Sequence, residues 1–151
     1  MVVMGVVATA VMSVALRTFT TTATVTNRRD VLADGRNALD RLSKQLRQAE
    51  SIDEGGTSSS MITFSSYING RPATIVWQVT GSSAPFTLEE STTGGANPIP
   101  VVTALSDTDV FTYNANGTVL ANVTIRLPLQ TSTSTIEMTT DVQLRNAQED
   151  V

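Results

Sequence analysis

The chain closes on VLANVTIRLPLQTSTSTIEMTTDVQLR, residues 119–145. Val119, Ala121, Val123, Ile125, Leu127 and Leu129 alternate with Asn122, Thr124 and Arg126. Thr131-Ser132-Thr133-Ser134 turns the chain. Ile136, Met138, Val142 and Leu144 then alternate against Glu137, Thr139, Asp141, Gln143 and Arg145. A period of two with one apolar and one polar row predicts a long antiparallel hairpin, buried on one face and wet on the other.

Working back from this hairpin, the same period recurs. Ile62, Phe64, Ser66 and Ile68 alternate up to Asn69-Gly70, a hairpin turn, and Ile75, Trp77 and Val79 share a face on the return. Phe86 and Leu88 mark a short strand. Ser91 to Pro100 reads as a loop rich in Gly, Thr and Pro. Val101-Val102 and Val110-Phe111-Thr112-Tyr113 are further strand candidates, and Asn114-Ala115-Asn116-Gly117 is a turn.

Before residue 55 the pattern is helical. Leu32, Gly35, Leu39, Leu42, Leu46 and Ala49 are spaced three, four or seven apart and form one stripe. Arg36 with Asp40 and Asp40 with Lys44 stand at i,i+4, each pair adding about 0.2–0.5 kcal/mol. The helix is expected to end after Ile52, where Asp53-Glu54-Gly55-Gly56 and a serine run follow. Leu32, Leu39, Leu42, Leu46 and Ala49 are the expected docking residues between helix and sheet. Thr18–Asn27 is dominated by β-branched residues, which lose side-chain freedom in a helix, so this stretch is expected to need support or to be extended.

Met1–Leu16, MVVMGVVATAVMSVAL, carries no charge, and Arg17 is the first charged residue. The run has no polar face for an interfacial helix and falls slightly short of the roughly 20 residues that span a bilayer. A cleaved secretory signal, an ordinary anchor and a start placed too late in a longer reading frame all compete. The last is favoured, because a basic leader and a few more apolar residues upstream would repair both length and orientation.

These elements give an expected α+β fold, a long N-terminal helix packed on an antiparallel sheet. The expected divisions are 1–17, a hydrophobic membrane or filament helix; 18–54, an amphipathic stem; and 55–151, a β-rich head forming one domain with the stem. Val2, Val3, Val6, Val7, Val11, Val14 and Leu16 are the residues expected to pack in a membrane or filament.

Composition narrows the chemistry. The 151 residues include no Cys and no His, which removes thiolate nucleophiles, His-based triads and the commonest metal sites. No phosphate-binding glycine loop or G-x-S-x-G is present. Glu89-Glu90 would point to opposite faces of a strand and reads as a wet loop edge. Asp107-Thr108-Asp109 offers too few oxygens for a calcium cage. No enzyme activity and no cofactor are expected. The net charge of −4 is uneven: residues 17–47 hold seven basic and three acidic groups, residues 48–151 three basic and eleven acidic.

The segment 36–52 carries a further signal. Arg36, Arg41, Leu42, Leu46, Arg47, Gln48, Ala49 and Ile52 match the R-x-x-x-x-R-L-x-x-x-L-R-Q-A-x-x-I pattern that ends the long helix of type IV pilin-like proteins. In this the chain resembles PilW-type minor pilins and the J-type pseudopilins of type II secretion. Leu144-Arg145-Asn146 and Asp109–Tyr113 are similar to their closing strands. The basic leader and Phe-Thr-Leu-x-Glu start of those families are absent, which is why an upstream start is expected. The resemblance implies a structural subunit of a pilus-like or secretion filament. Its helix would sit in the inner membrane before assembly and in the filament core afterwards, its head would lie outside, and other pilin-like subunits would be its partners. The alternatives are a tip binding module for adhesion or DNA uptake, with DNA as partner of the basic stem, and a secreted, signal-cleaved β domain.

Overall fold

The computed structural model describes the backbone of residues 2–92, 96–116 and 119–144. Within it, side chains are described except at 2–11, 13–23, 54, 96, 115–116 and 119–121. One helix, α1 (Val2–Arg47), precedes eight strands: β1 (Ser51–Ile52), β2 (Met61–Ile68), β3 (Arg71–Thr80), β4 (Phe86–Thr92), β5 (Ala96–Leu105), β6 (Phe111–Asn116), β7 (Val119–Gln130) and β8 (Thr135–Gln143). All pairings are antiparallel, in the order β1-β2-β3-β4-β5-β7-β6, with β8 on the other side of β7.

The expected α+β arrangement is corrected to a mostly β fold. Strand residues outnumber helical ones, and the sheet curls into a half-barrel against the helical segment 24–47 in place of lying under a long helix. Two physical reasons account for the difference. First, more of the chain is strand than a loop-signal reading allows. β5 runs through Pro98 and Pro100, and its pairing with β4 is broken by register shifts, the places where a sheet tolerates proline. Second, among the described side chains of α1 only those of its last part are buried against the sheet. Every residue from Val25 to Asp30 is exposed, whereas Gly35, Ala38, Leu42 and Leu46 are buried.

The expectation of a single inner-membrane span is corrected as well. Among the described residues no helix is long and apolar enough to cross a membrane. The uncharged run counts sixteen residues before Arg17, against roughly 20 for a span.

The helix ends at Arg47, five residues before the expected end at Ile52. The amides of Gln48 and Ala49 bond to the carbonyls of Gln45 and Leu46, i→i−3 contacts that tighten and end the last turn. Glu50 then donates to the Ser65 carbonyl, which starts the pairing of β1 with β2 and turns Ser51–Ile52 into strand. Lys44 and Arg47 occupy the last helical turn, where cations oppose the helix dipole favourably. Asn69 and Gly70 both have positive φ, the two-residue turn that joins β2 to β3 without splaying them.

The core lies between the concave side of the sheet and the back of α1. Trp77, Phe64, Ile62, Ile75, Leu88, Leu105, Ile125, Leu127 and Leu129 are fully buried together with Leu42 and Leu46. Burying each such side chain contributes about 1.5–3 kcal/mol. Gly35 sets the closest approach. A Cβ there would stand 2.5 Å from Leu129 Cδ1 and 3.2 Å from Met138 Sδ, so glycine lets the helix settle onto β7 and β8.

Candidate functional site

The expected docking residues occupy two levels. Leu42 and Leu46 are 1% exposed and Ala49 is buried, while Leu32 and Leu39 are partly buried against the same core. Ala38, equally buried, extends the stripe between Gly35 and Leu42. Composition hid it, since alanine is as common on the wet side of a helix, although its i,i+4 spacing to Leu42 was legible.

Beside this apolar seam runs a polar chain. The Trp77 indole Nε1 donates to Gln45 Oε1 at 2.9 Å, and Gln45 Nε2 donates to Glu90 Oε1 at 2.8 Å. Arg41 Nη2 stands 2.7 Å from the other carboxylate oxygen. That oxygen accepts no aligned hydrogen bond, so the short distance is an ion pair held by charge. Trp77 and Glu90 face each other across β3 and β4, while Arg41 and Gln45 are one helical turn apart. The sheet thus supplies an aromatic donor and an acid, and the helix supplies an amide and a cation. Glu90 is 3% exposed, whereas half of the Arg41 side chain reaches solvent. A wet loop edge is therefore the wrong reading of Glu90. It is a buried carboxylate that fixes the rotation of α1, and desolvating it demands these partners.

A second polar junction fastens the far end of the sheet. The Tyr113 hydroxyl on β6 shares its proton between the carbonyls of Met61, at 2.8 Å, and Ser58, at 3.1 Å. Ser59 Oγ donates to Asp109 Oδ1 at 2.7 Å, and the amides of Val110 and Phe111 bond to the Ser59 carbonyl. Burial pushes the Tyr113 phenol far above its ordinary value of 10.0. Asp107 folds back on the amides of Thr108 and Asp109, forming an Asx turn. Among the described residues no group of three or more acidic side chains is placed to hold a metal ion. On the convex side, Arg126 Nε donates to Glu137 Oε2 at 2.9 Å, and this bond, followed by the carboxylate's charge, raises the Arg126 pKa. Thr124 Oγ1 donates to Asp141 at 2.6 Å.

Val2, Val3, Val6, Val7, Val11, Val14 and Leu16 fall on residues whose side chains lie outside the described set, although their backbone is helical. Met12, described within that run, is 67% exposed. The outward surface of the helix from Arg28 to Arg47 is charged. Arg28, Arg29, Arg36, Arg41 and Arg47 are exposed, and Lys44 pairs with Asp40 at 2.7 Å. The arrangement can hold a rod rigidly at one end and present the other; it brings together no nucleophile, base and electrophile among the described residues. Comparison with family models, with characterised proteins and with solved structures found no match.

Proposed function

We propose that the chain is a non-enzymatic structural subunit of the minor pilin or pseudopilin kind, which assembles with similar subunits through its N-terminal helix. The observation that carries this reading is the division of α1. Its C-terminal segment is locked to the half-barrel, whereas Val25–Asp30 and Met12 are exposed. The helix before Val31 amounts to 29 residues, about 44 Å at 1.5 Å per residue, well beyond what the head needs. Its first sixteen residues bear no charge. An uncharged helix of that length is stable in water only when other apolar surface covers it. Similar helices from neighbouring subunits meet that need by ridge-and-groove packing.

Two further features support a structural role. The chain contains no His or Cys, the usual sources of general bases and thiolates. The polar groups of buried Glu90 and Trp77 are joined through Gln45, which suits a rigid mount.

The test compares the full chain with its Val7→Asp, Val11→Asp double variant by sedimentation velocity and electron microscopy. The parent chain is expected to form concentration-dependent assemblies, and the variant to remain small with an unchanged melting temperature of the head. A parent chain that stays monomeric at every concentration, or a variant that assembles equally well, refutes the reading.

A further inference from the structure

Strand β8 ends the sheet. It pairs with β7 along its whole length, from Thr135 opposite Gln130 to Gln143 opposite Asn122, without a register shift. Among the described residues no strand pairs with its other edge. Alternate residues of this strand turn unpaired backbone donors and acceptors to the open edge, a template for another strand. The common protections of such an edge, a proline, a lysine or a bulge, are missing from Thr135–Gln143.

Burial shows the same incompleteness. On β7 the inward side chains Val123, Ile125, Leu127 and Leu129 are completely covered. On β8 their neighbours Ile136, Met138 and Thr140 are only half-buried, and Val142 alone in that row is completely covered. The helix runs alongside β8, and Glu137, Thr139, Asp141 and Gln143 on the strand stay exposed. Gly35 lies at Met138, and Arg47 lines a groove of about 570 Å³ with Asp141, Gln143 and Leu144 at the other end of the strand.

We propose that this edge is a self-association surface, on which β8 pairs antiparallel with β8 of a second copy across a two-fold axis at Thr140. The sequence of the strand selects both the occupant and the register. An axis at Thr139 would set Glu137 directly opposite Asp141, and an axis at Asp141 would set that carboxylate opposite itself; like charges so placed repel. An axis at Met138 would place Ile136 against Thr140. With the axis at Thr140, Met138 meets Val142, Ile136 meets Leu144, Thr139 meets Asp141 and Glu137 meets Gln143. Apolar residues then face apolar residues on the concave side, and each carboxylate faces a hydrogen-bonding neutral group. The strand is complementary to itself in that register, as an isologous two-fold interface requires. The pairing joins two half-barrels into one continuous sheet and covers the half-buried strip.

This surface is separate from the helix-mediated contact, and the test keeps them apart. The full chain carrying Val7→Asp and Val11→Asp is the background. Sedimentation equilibrium is expected to show a monomer–dimer equilibrium. Thr139→Lys, which sets a cation opposite Asp141 of the second copy, tightens it. Thr139→Asp, which sets a carboxylate there, weakens it about tenfold. Thr139 is exposed, so both variants keep the melting temperature of the head. The chain has no cysteine, so single cysteines report the register cleanly. Thr140→Cys is expected to form an intermolecular disulfide on mild oxidation, since directly opposed residues lie within bonding range. Thr135→Cys, whose copies lie at opposite ends of the pair, is not. A background protein that is monomeric throughout, Thr139→Lys and Thr139→Asp shifting the equilibrium in the same direction, or Thr135→Cys linking as readily as Thr140→Cys overturns the proposal. Loss of helix-mediated assembly is read independently, from the parent chain against this background.

Discussion

Glu90 has the most to lose from a single change. Its carboxylate is nearly inaccessible and is held by Gln45 and by Arg41. Glu90→Ala leaves the Gln45 amide and the Arg41 cation without their acceptor, and the fold is expected to lose about 2 kcal/mol, discounted because half of Arg41 is already solvated. Glu90→Gln keeps the shape and one acceptor, and should cost less; chemical denaturation of the pair checks the order. Leu42→Asp puts a charge into the seam and is expected to cost about 4 kcal/mol or more, enough to unfold the head, as far-UV circular dichroism would show. Tyr113 gives the pH dependence. Its folded pKa is raised above the unfolded value, so its contribution is fully present below pH 10 and is lost as pH climbs from there towards the folded value. Tyr113→Phe should flatten that alkaline decline in the unfolding free energy and remove the two-carbonyl contact at about 1 kcal/mol. The sequence makes Leu42 and Leu46 legible by spacing. It does not reveal Glu90, because adjacent glutamates before a Gly/Pro-rich stretch look solvated. Only the cross-strand register with Trp77, a non-local fact, brings it under the helix.

Among the elements, the docked part of α1 and the β7–β8 pair were the most readable, since each carries a regular period there. Strands β4 and β5 were the least. Pro98, Pro100 and the glycines before them give loop signals, yet hydrogen bonding across a bulged pair overrides local propensity there. The β-branched run Thr18–Asn27 is helical in the structure, against its local propensity. Gly35 has two opposed effects in the helix. Gly35→Ala gains about 1 kcal/mol of helix propensity but drives a methyl towards the buried Leu129. Gly35→Val adds more bulk at the same point with no comparable gain. It is expected to destabilise by about 1–3 kcal/mol through overpacking, and thermal melts of the three proteins would rank glycine and alanine close together and valine lowest.

At the scale of the molecule, the fold and the proposed function draw on different parts of the helix. The half-barrel needs α1 only from about Val31 onward, and the apolar seam and the Glu90 latch both lie in that part. That the first sixteen residues carry no charge is legible from the sequence alone, and the proposed assembly rests on it. How the sheet curls was not legible, because curvature arises from twist, bulges and the helix it encloses, and none of these has a local signature.

Amide hydrogen exchange, resolved along α1, tests the central division directly. In the dispersed monomer, residues 31–47 should exchange at rates near those of the sheet core, and residues 2–30 much faster, since β-branched helix without tertiary support frays. On assembly, residues 2–16 should become protected while 31–47 stay unchanged. Protection of 2–16 in the monomer equal to that of 31–47, or no gain on assembly, would contradict the account.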